Sequence, residues 1–250
     1  MSGNIFRFKK FSVDQSKSAM KVGTDGVLLG AWLRMKPDDR RFLDIGTGTG
    51  LIALMLAQRF EDEYGRIPEE TIIDAVEIDH DSAIQAADNA AMSKWASIIR
   101  VHHASIQNFT ESVCEKYDNI VSNPPWFVDS LLSPHAARTA ARHTCVLSYE
   151  ELFACVVRML AAEGRFSAVL PCDSETMFRD ACSRHGLVVS RRTEVFTTPD
   201  SPPKRLLLEM TFPSANYSDT ACDSITIGTG RHEDFTGQYK NLTAPFYLKF

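Results

Sequence analysis

The sequence predicts an α/β fold: a seven-stranded, mostly parallel sheet with helices on its faces and a terminal antiparallel hairpin. Three observations carry this. From Arg41 onward, short apolar runs alternate with amphipathic stretches, the pattern of a doubly wound sheet. The first apolar run ends in a glycine-rich turn, Asp44-Ile45-Gly46-Thr47-Gly48-Thr49-Gly50, before a helical stretch. Finally, the last two long strands flank Thr-Thr-Pro-Asp-Ser-Pro-Pro (197–203), too short for a crossover helix, so they must pair antiparallel.

In order, the strand segments are Phe42–Ile45, Ile72–Ile78, Ile98–His102, Asn119–Ser122, Arg165–Leu170, Leu187–Phe196 and Leu206–Phe212. Helical spacing falls on Leu51–Arg59, Asp81–Met92, Tyr149–Leu160 and Ser174–His185, with Asp81 and Ser148 as N-cap residues. Residues 1–40 are too few for a separate domain and are read as a cap or lid over the carboxyl edge of a single domain, 41–250.

With 250 residues, 44% hydrophobic and 24% charged, the chain has enough apolar material for one well-packed domain and no stretch biased towards disorder. Six cysteines (Cys114, Cys145, Cys155, Cys172, Cys182, Cys222) show no C-x-x-C pair and no matching histidine spacing, which predicts free thiols, no metal site and a reducing compartment. No apolar window approaches the roughly 20 residues that span a bilayer, so no membrane partner and a cytoplasmic location are expected. The net charge of −5 argues against nucleic acid. The first 36 residues, however, hold seven basic side chains (Arg7, Lys9, Lys10, Lys17, Lys21, Arg34, Lys36) against Asp14 and Asp25, a local balance of +5. A solvated surface gives such a run, and so does a phosphate-binding face.

Gly46, Gly48 and Gly50 let the backbone turn tightly and approach a ligand where a Cβ would collide. Their G-x-G-x-G spacing differs from the G-x-G-x-x-G of dinucleotide binders, which cradles a pyrophosphate. S-adenosylmethionine has no pyrophosphate: its charged parts are an amino-acid end and a sulfonium. Asp44 suits the ammonium. Glu77, in Val76-Glu77-Ile78-Asp79 at the end of the next strand, can accept both ribose hydroxyls. After the third strand, Ala104-Ser105-Ile106 stands where an acid normally contacts the adenine, so Ser105 offers a hydroxyl in place of a carboxylate, with Ile106 beside it.

The fourth strand ends Ser122-Asn123-Pro124-Pro125-Trp126-Phe127, the most specific feature of the chain. Two prolines fix φ near −65° and donate no hydrogen bond, so the Pro124 carbonyl is rigidly displayed. An exocyclic amine conjugated to a purine is a poor nucleophile because its lone pair is delocalised. If the Asn123 oxygen accepts one N–H and the Pro124 carbonyl the other, the nitrogen is drawn towards tetrahedral geometry and its lone pair is aimed at a methyl donor. Trp126 offers a face on which an unstacked base can lie.

These residues resemble the amino-group methyltransferases of the Asn-Pro-Pro-aromatic type. Phe6-Arg-Phe-Lys-Lys-Phe and Ala19-Met-Lys-Val-Gly-Thr-Asp-Gly-Val-Leu-Leu-Gly-Ala-Trp32, continued by Ala141-Arg-His-Thr144 and Ala244-Pro-Phe-Tyr-Leu248, are similar to the bacterial valine-tRNA (adenine-37-N6)-methyltransferase family over nearly the whole chain. The resemblance implies N6-methyladenosine beside the anticodon as product, and Lys21 and Thr24 folded over the methionine end of the cofactor; a plain surface position or a contact to RNA phosphate accounts for Lys21 equally well. The chain departs from the family at Ser105, where aspartate is expected, and at Trp126, where tyrosine is commoner.

On the RNA side, Arg138 and Arg142 are four apart beside Asn123 and would share one helical face able to grip phosphates. Lys9, Lys10, Lys204 and Arg205 are further candidates, with Arg191-Arg192 extending the footprint. A single-stranded anticodon loop suits such a site because its bases can be splayed. Three alternatives stay open: a protein glutamine N5-methyltransferase, which as a family has a helical domain before the glycine loop; an RNA guanine N2-methyltransferase; and a catalytically idle RNA-binding module.

Overall fold

A computed structural model of the chain describes residues 4–18, 20–123, 147–214 and 220–250. A small antiparallel ribbon of β1 (Ile5–Arg7) and β2 (Ser12–Asp14) precedes α1 (Thr24–Trp32). The α/β succession is β3 (Arg41–Ile45), α2 (Leu51–Tyr64), β4 (Ile72–Glu77), α3 (His80–Ala91), β5 (Ile99–His103), α4 (Ile106–Ser112), β6 (Tyr117–Ser122), α5 (Tyr149–Met159) and β7 (Leu160–Pro171). A 3₁₀ turn leads to α6 (Glu175–Arg184), followed by β8 (Val188–Phe196), β9 (Pro203–Thr211), β10 (Ala221–Thr226) and α7 (Gly237–Thr243).

The main sheet runs β10-β8-β9-β7-β6-β3-β4-β5. β3 to β7 are parallel, and β9 is antiparallel to both of its neighbours, as the short 197–203 connection requires. β3 and β6 lie in the middle and are almost wholly buried, the polar Asp44, Asn119 and Ser122 included. One face packs on α1 and α2, with Leu28, Leu29, Leu54 and Phe60 fully enclosed. The other packs on α5 and α6 through Phe153, Phe166 and Phe178, whose rings meet 4.9–5.7 Å apart.

Four expectations are corrected. The sheet has eight strands rather than seven: β10 adds an edge strand parallel to β8. Only Ile225 of its six residues is buried, so its sequence carries no apolar alternation. The N-cap of α3 is Asp79, which accepts the Ser82 N–H at 2.9 Å, and not Asp81, which lies in the first turn. Leu160 begins β7 rather than ending the helix before it, and the helix expected from Ser174 begins at Glu175. Ser148 does cap α5, in a reciprocal capping box with Glu151.

Residues 4–40 share the core of the sheet. Phe8, Phe11 and Val13 are buried in the same cluster as α1 and α2. Helix α1 was hidden in the sequence because Gly26 to Trp32 are buried all round, leaving no polar stripe to mark a period. Gly26 and Gly30 sit four apart on the face towards α2: a Cβ at Gly30 would meet Met55 Sδ at 2.8 Å, and one at Gly26 would meet Leu51 Cδ2 at 3.2 Å. Bare backbone is what lets the two helices approach. Among the described residues no helix is long and apolar enough to cross a membrane.

Candidate cofactor and amine site

Strand register brings the sequence candidates into one row. Ile45 of β3 pairs with Val76 of β4 on one side and with Ser122 of β6 on the other. The next residue of each strand, Gly46, Glu77 and Asn123, therefore lies along the carboxyl edge, where open α/β sheets place their ligands. Ser122 pins this edge by donating from its hydroxyl to the Ile45 carbonyl at 2.9 Å.

The loop after β3 is held open towards solvent. Gly46, Gly48 and Gly50 have φ of +70°, +57° and +81°, the left-handed region that disfavours side chains. A Cβ on Gly46 or Gly48 would meet nothing within 4 Å, so those positions face space a ligand can fill, whereas Gly50 lies against Ala86 of α3 at 3.5 Å. Asn89, buried on α3, braces the loop: it donates to the Thr49 and Asp14 carbonyls at 2.9 and 2.8 Å and accepts from the Asp14 N–H at 2.9 Å. Its amide ties the loop to β2. Nothing in the sequence singled it out, because an asparagine on a helix has no spacing signature.

Glu77 accepts the Gly48 N–H at 2.8 Å through Oε2 and the Asp79 N–H at 2.9 Å through Oε1. Each oxygen keeps a second lone pair, as a ribose diol requires. Asp44 lies behind the loop and is fully buried, with Oδ2 accepting from the Thr47 hydroxyl at 2.6 Å and Oδ1 buried without a hydrogen-bond partner among the described residues. Burial pushes its carboxyl up to about 7, with the Thr47 hydroxyl opposing and the charge of Glu77 adding to the rise. A cationic group in front of the loop would relieve this charge. The open glycines, the half-used Glu77 and the orphaned Asp44 oxygen fit a ligand carrying a diol and an ammonium.

Ser105 is the N-cap of α4, accepting the Asn108 N–H at 3.2 Å, and Ile106 is buried. Its hydroxyl is thus occupied in part by the helix it starts. Beside it, the Ala104 N–H donates to the Glu77 carbonyl at 3.0 Å, and Ile78 is 48% exposed. An exposed isoleucine between two acids at a strand end is a flat apolar surface for a heterocycle. The only sequence signal for it was its position after Glu77.

Helix α1 brings the amino-terminal motif to this edge. An ideal Cβ on Gly26 would lie 3.6 Å from Asn123 Nδ2, so the first turn of α1 packs on the amide. In that turn Asp25 accepts from Arg205 Nε at 2.9 Å. Thr24 is exposed at the helix start. Lys21 is exposed, and its ammonium donates to the Gln15 carbonyl.

The basic candidates divide. Lys9 donates to the main-chain oxygens of Ala244 and Phe250 at 2.6 and 2.7 Å, Lys10 pairs with Asp62, and Arg205 with Asp25. Arg191 pairs with Asp223 and lies over the Trp32 ring, and Arg192 pairs with Glu175 and Glu194. Lys204 is exposed. Pro124, Trp126, Arg138 and Arg142 lie outside the described residues.

Known proteins resemble this chain in the same terms. The family model described as Methyltransferase small domain matches residues 16–170. The chain is 44% identical over 250 residues to a Bacteroides fragilis protein named tRNA1(Val) (adenine(37)-N6)-methyltransferase, covering all of both chains. Proteins of the same name from Parabacteroides distasonis and Trichodesmium erythraeum are 42% and 40% identical, again over the full length of each. Among solved structures, a predicted O-methyltransferase from Agrobacterium tumefaciens shares the fold with a TM-score of 0.61 at 16% identity, over 89% of this chain and 96% of that one. A glycopeptide N-methyltransferase complexed with S-adenosyl-L-methionine aligns with a TM-score of 0.53 at 12% identity, over 77% of this chain and all of that one.

Proposed function

The chain belongs to the tRNA1(Val) (adenine(37)-N6)-methyltransferase family, and from that membership we propose that it methylates N6 of adenosine 37 in the anticodon loop of a valine tRNA. It is an S-adenosyl-L-methionine-dependent methyltransferase. That cofactor, when bound, supplies an electrophilic methyl carbon on a sulfonium. The observation that carries the reading is the placement of Asn123 beside Gly46 and Glu77 on one sheet edge, under the first turn of α1.

In this reading Gly46 and Gly48 admit the cofactor's amino-acid end and Glu77 accepts its ribose hydroxyls. Asp44 acts on the ammonium from behind the loop, and Ser105, Ile106 and Ile78 flank its adenine. Lys21 and Thr24, at the entrance to α1, close over the methionine end. The oxygen of Asn123 accepts one N–H of the target amine and the Pro124 carbonyl the other, while Trp126 stacks on the base. These acceptors orient the nitrogen lone pair and stabilise the positive charge that develops on it, so no strong base is required. Arg138, Arg142 and Lys204 meet phosphates, and Lys9, Lys10 and Arg205 reach RNA by sharing or exchanging the partners they hold. A tRNA substrate implies a cytoplasmic location.

The test is transfer of labelled methyl from S-adenosylmethionine to total bacterial tRNA, followed by nucleoside analysis. Label in N6-methyladenosine is expected. Label in N2-methylguanosine, or in a protein glutamine, overturns the substrate and keeps the reaction class. Asn123→Ala should lower kcat by about 10² to 10³ while leaving cofactor affinity intact; equal loss of both contradicts the role given to Asn123.

A further inference from the structure

Two segments that the proposed reading does not use, Phe6-Arg7-Phe8 and Pro245-Phe246-Tyr247-Leu248, come together in the fold. Phe8 bridges Tyr247, and the Lys9 N–H donates to the Phe246 carbonyl at 2.8 Å. Between them opens a cavity of about 440 Å³ whose walls include Phe6, Phe235, Tyr247 and Phe250. The rings meet edge to face: Phe235 and Phe250 at 5.3 Å, Tyr247 and Phe250 at 5.5 Å, Phe6 and Tyr247 at 6.2 Å. Phe235 also stacks on Tyr239 at 5.4 Å, so the face it can offer a flat guest is the one under the exposed Lys249, whose ammonium would move from the ring to a phosphate.

The charge on this cavity is one-sided. Lys249 holds its ammonium 4.5 Å from the centre of Phe235 and 5.7 Å from that of Phe250. Arg7 lies on the same lining and is exposed. Neither cation has an acidic partner within 4 Å among the described residues, unlike Lys10, Arg191, Arg192 and Arg205. Aromatic faces beside unpaired cations suit a nucleotide, which brings a π-face and a phosphate together.

The cavity also adjoins the catalytic edge. Thr24 is part of its lining, and two residues on, in the same helix, Gly26 packs against the Asn123 amide. Two residues of helix advance only about 3 Å but turn through about 200°, so the cavity and the Asn123 edge lie on opposite sides of α1, about one helix diameter (~10 Å) apart. A loop whose target base reaches Asn123 therefore has a neighbouring nucleotide within reach of this pocket.

We propose that the Phe6–Phe235–Tyr247–Phe250 cavity, with Arg7 and Lys249, takes an unstacked nucleotide flanking the methylated adenosine of the substrate RNA. This rests on the RNA-methylation reading and adds a second base site to it. Lys249 and Arg7 hold the phosphate and the rings hold the base.

The decisive variant is Arg7→Ala/Lys249→Ala in the full chain, because neither side chain is buried in the core. Affinity for transcribed valine tRNA is measured by filter binding across a salt series, alongside kcat at saturating tRNA and cofactor affinity by calorimetry. The double variant should bind RNA about tenfold more weakly, and the slope of log K against log salt should fall by about 1.4 to 1.8, two phosphate contacts' worth. Cofactor affinity and kcat should not move. Phe235→Ala should weaken RNA binding by about 5- to 150-fold and Phe235→Trp should restore it, which a purely structural ring would not require. Unchanged RNA affinity and salt slope in the double variant, with wild-type RNA methylation intact, overturn the cavity's role alone. Wild-type protein that neither binds nor methylates RNA overturns both this inference and the reading beneath it.

Discussion

Asp44 shows how a single buried charge can report on a ligand. Its carboxyl, ordinarily near 3.8, is raised to about 7, mainly by burial. The folded chain therefore keeps a proton that the unfolded chain releases, so the stability linked to this residue is full below about 3.8 and is lost as pH rises through about 7. A cation bound in front of the loop offsets that loss because it favours the ionised form. S-adenosylhomocysteine carries the same ammonium and should raise Tm more at about pH 7.5 than at about pH 6, while Asp44→Asn should remove the difference. An equal shift at both pH values in the wild type would mean that the ammonium does not feel Asp44. At this scale the meeting of the glycines, Glu77 and Asn123 on one sheet edge was legible because each closes a strand. Asn89 and Ile78 were not, since each matters only through a neighbour that the fold supplies.

At the scale of elements, the contact between α1 and α2 carries the most information. Gly26 and Gly30 lie over Leu51 and Met55, four apart on each helix, so the pair packs at backbone distance. Gly30→Val adds a branched side chain where even a first carbon would stand 2.8 Å from Met55 Sδ. Urea unfolding should show a loss of about 2 kcal/mol, a typical cost of overpacking, with part of it recovered when Met55→Ala is added. Strict additivity of the two changes would place the strain elsewhere. Gly26→Val should act differently, lowering methyl transfer more than stability, because its side chain grows towards Leu51 and the Asn123 amide. Strands such as β4, β7 and β9 could be read from the sequence because burial makes most of each a short apolar run. Helix α1 could not, being apolar all round, and neither could β10, whose outward residues carry only Ile225 as an apolar anchor.

For the whole molecule, the question is whether the first 40 residues move as a lid or melt with the sheet. Phe8, Val13, Val27 and Trp32 share one buried cluster with Leu54, Phe60, Tyr239 and Phe246, so amino-terminal, central and carboxyl-terminal residues pack on one another. Trp32 is fastened further by its indole N–H, which donates to the Thr193 hydroxyl of β8 at 2.8 Å. An element tied to α2, β8 and α7 cannot detach without exposing that shared core, which predicts a single cooperative transition. Trp32 provides the probe. Trp95 has a buried indole nitrogen with no partner among the described residues, so Trp95→Phe removes a fluorophore without stranding an acceptor. In a Trp95→Phe/Trp126→Phe background, the Trp32 fluorescence transition in urea should coincide with that of far-UV circular dichroism, and S-adenosylhomocysteine should move both together. A Trp32 midpoint lower by more than about 0.5 M would make residues 1–40 a separately melting cap. Coincidence would mean that residues 1–40 form a fixed wall beside the carboxyl edge of the sheet and not a separately moving lid.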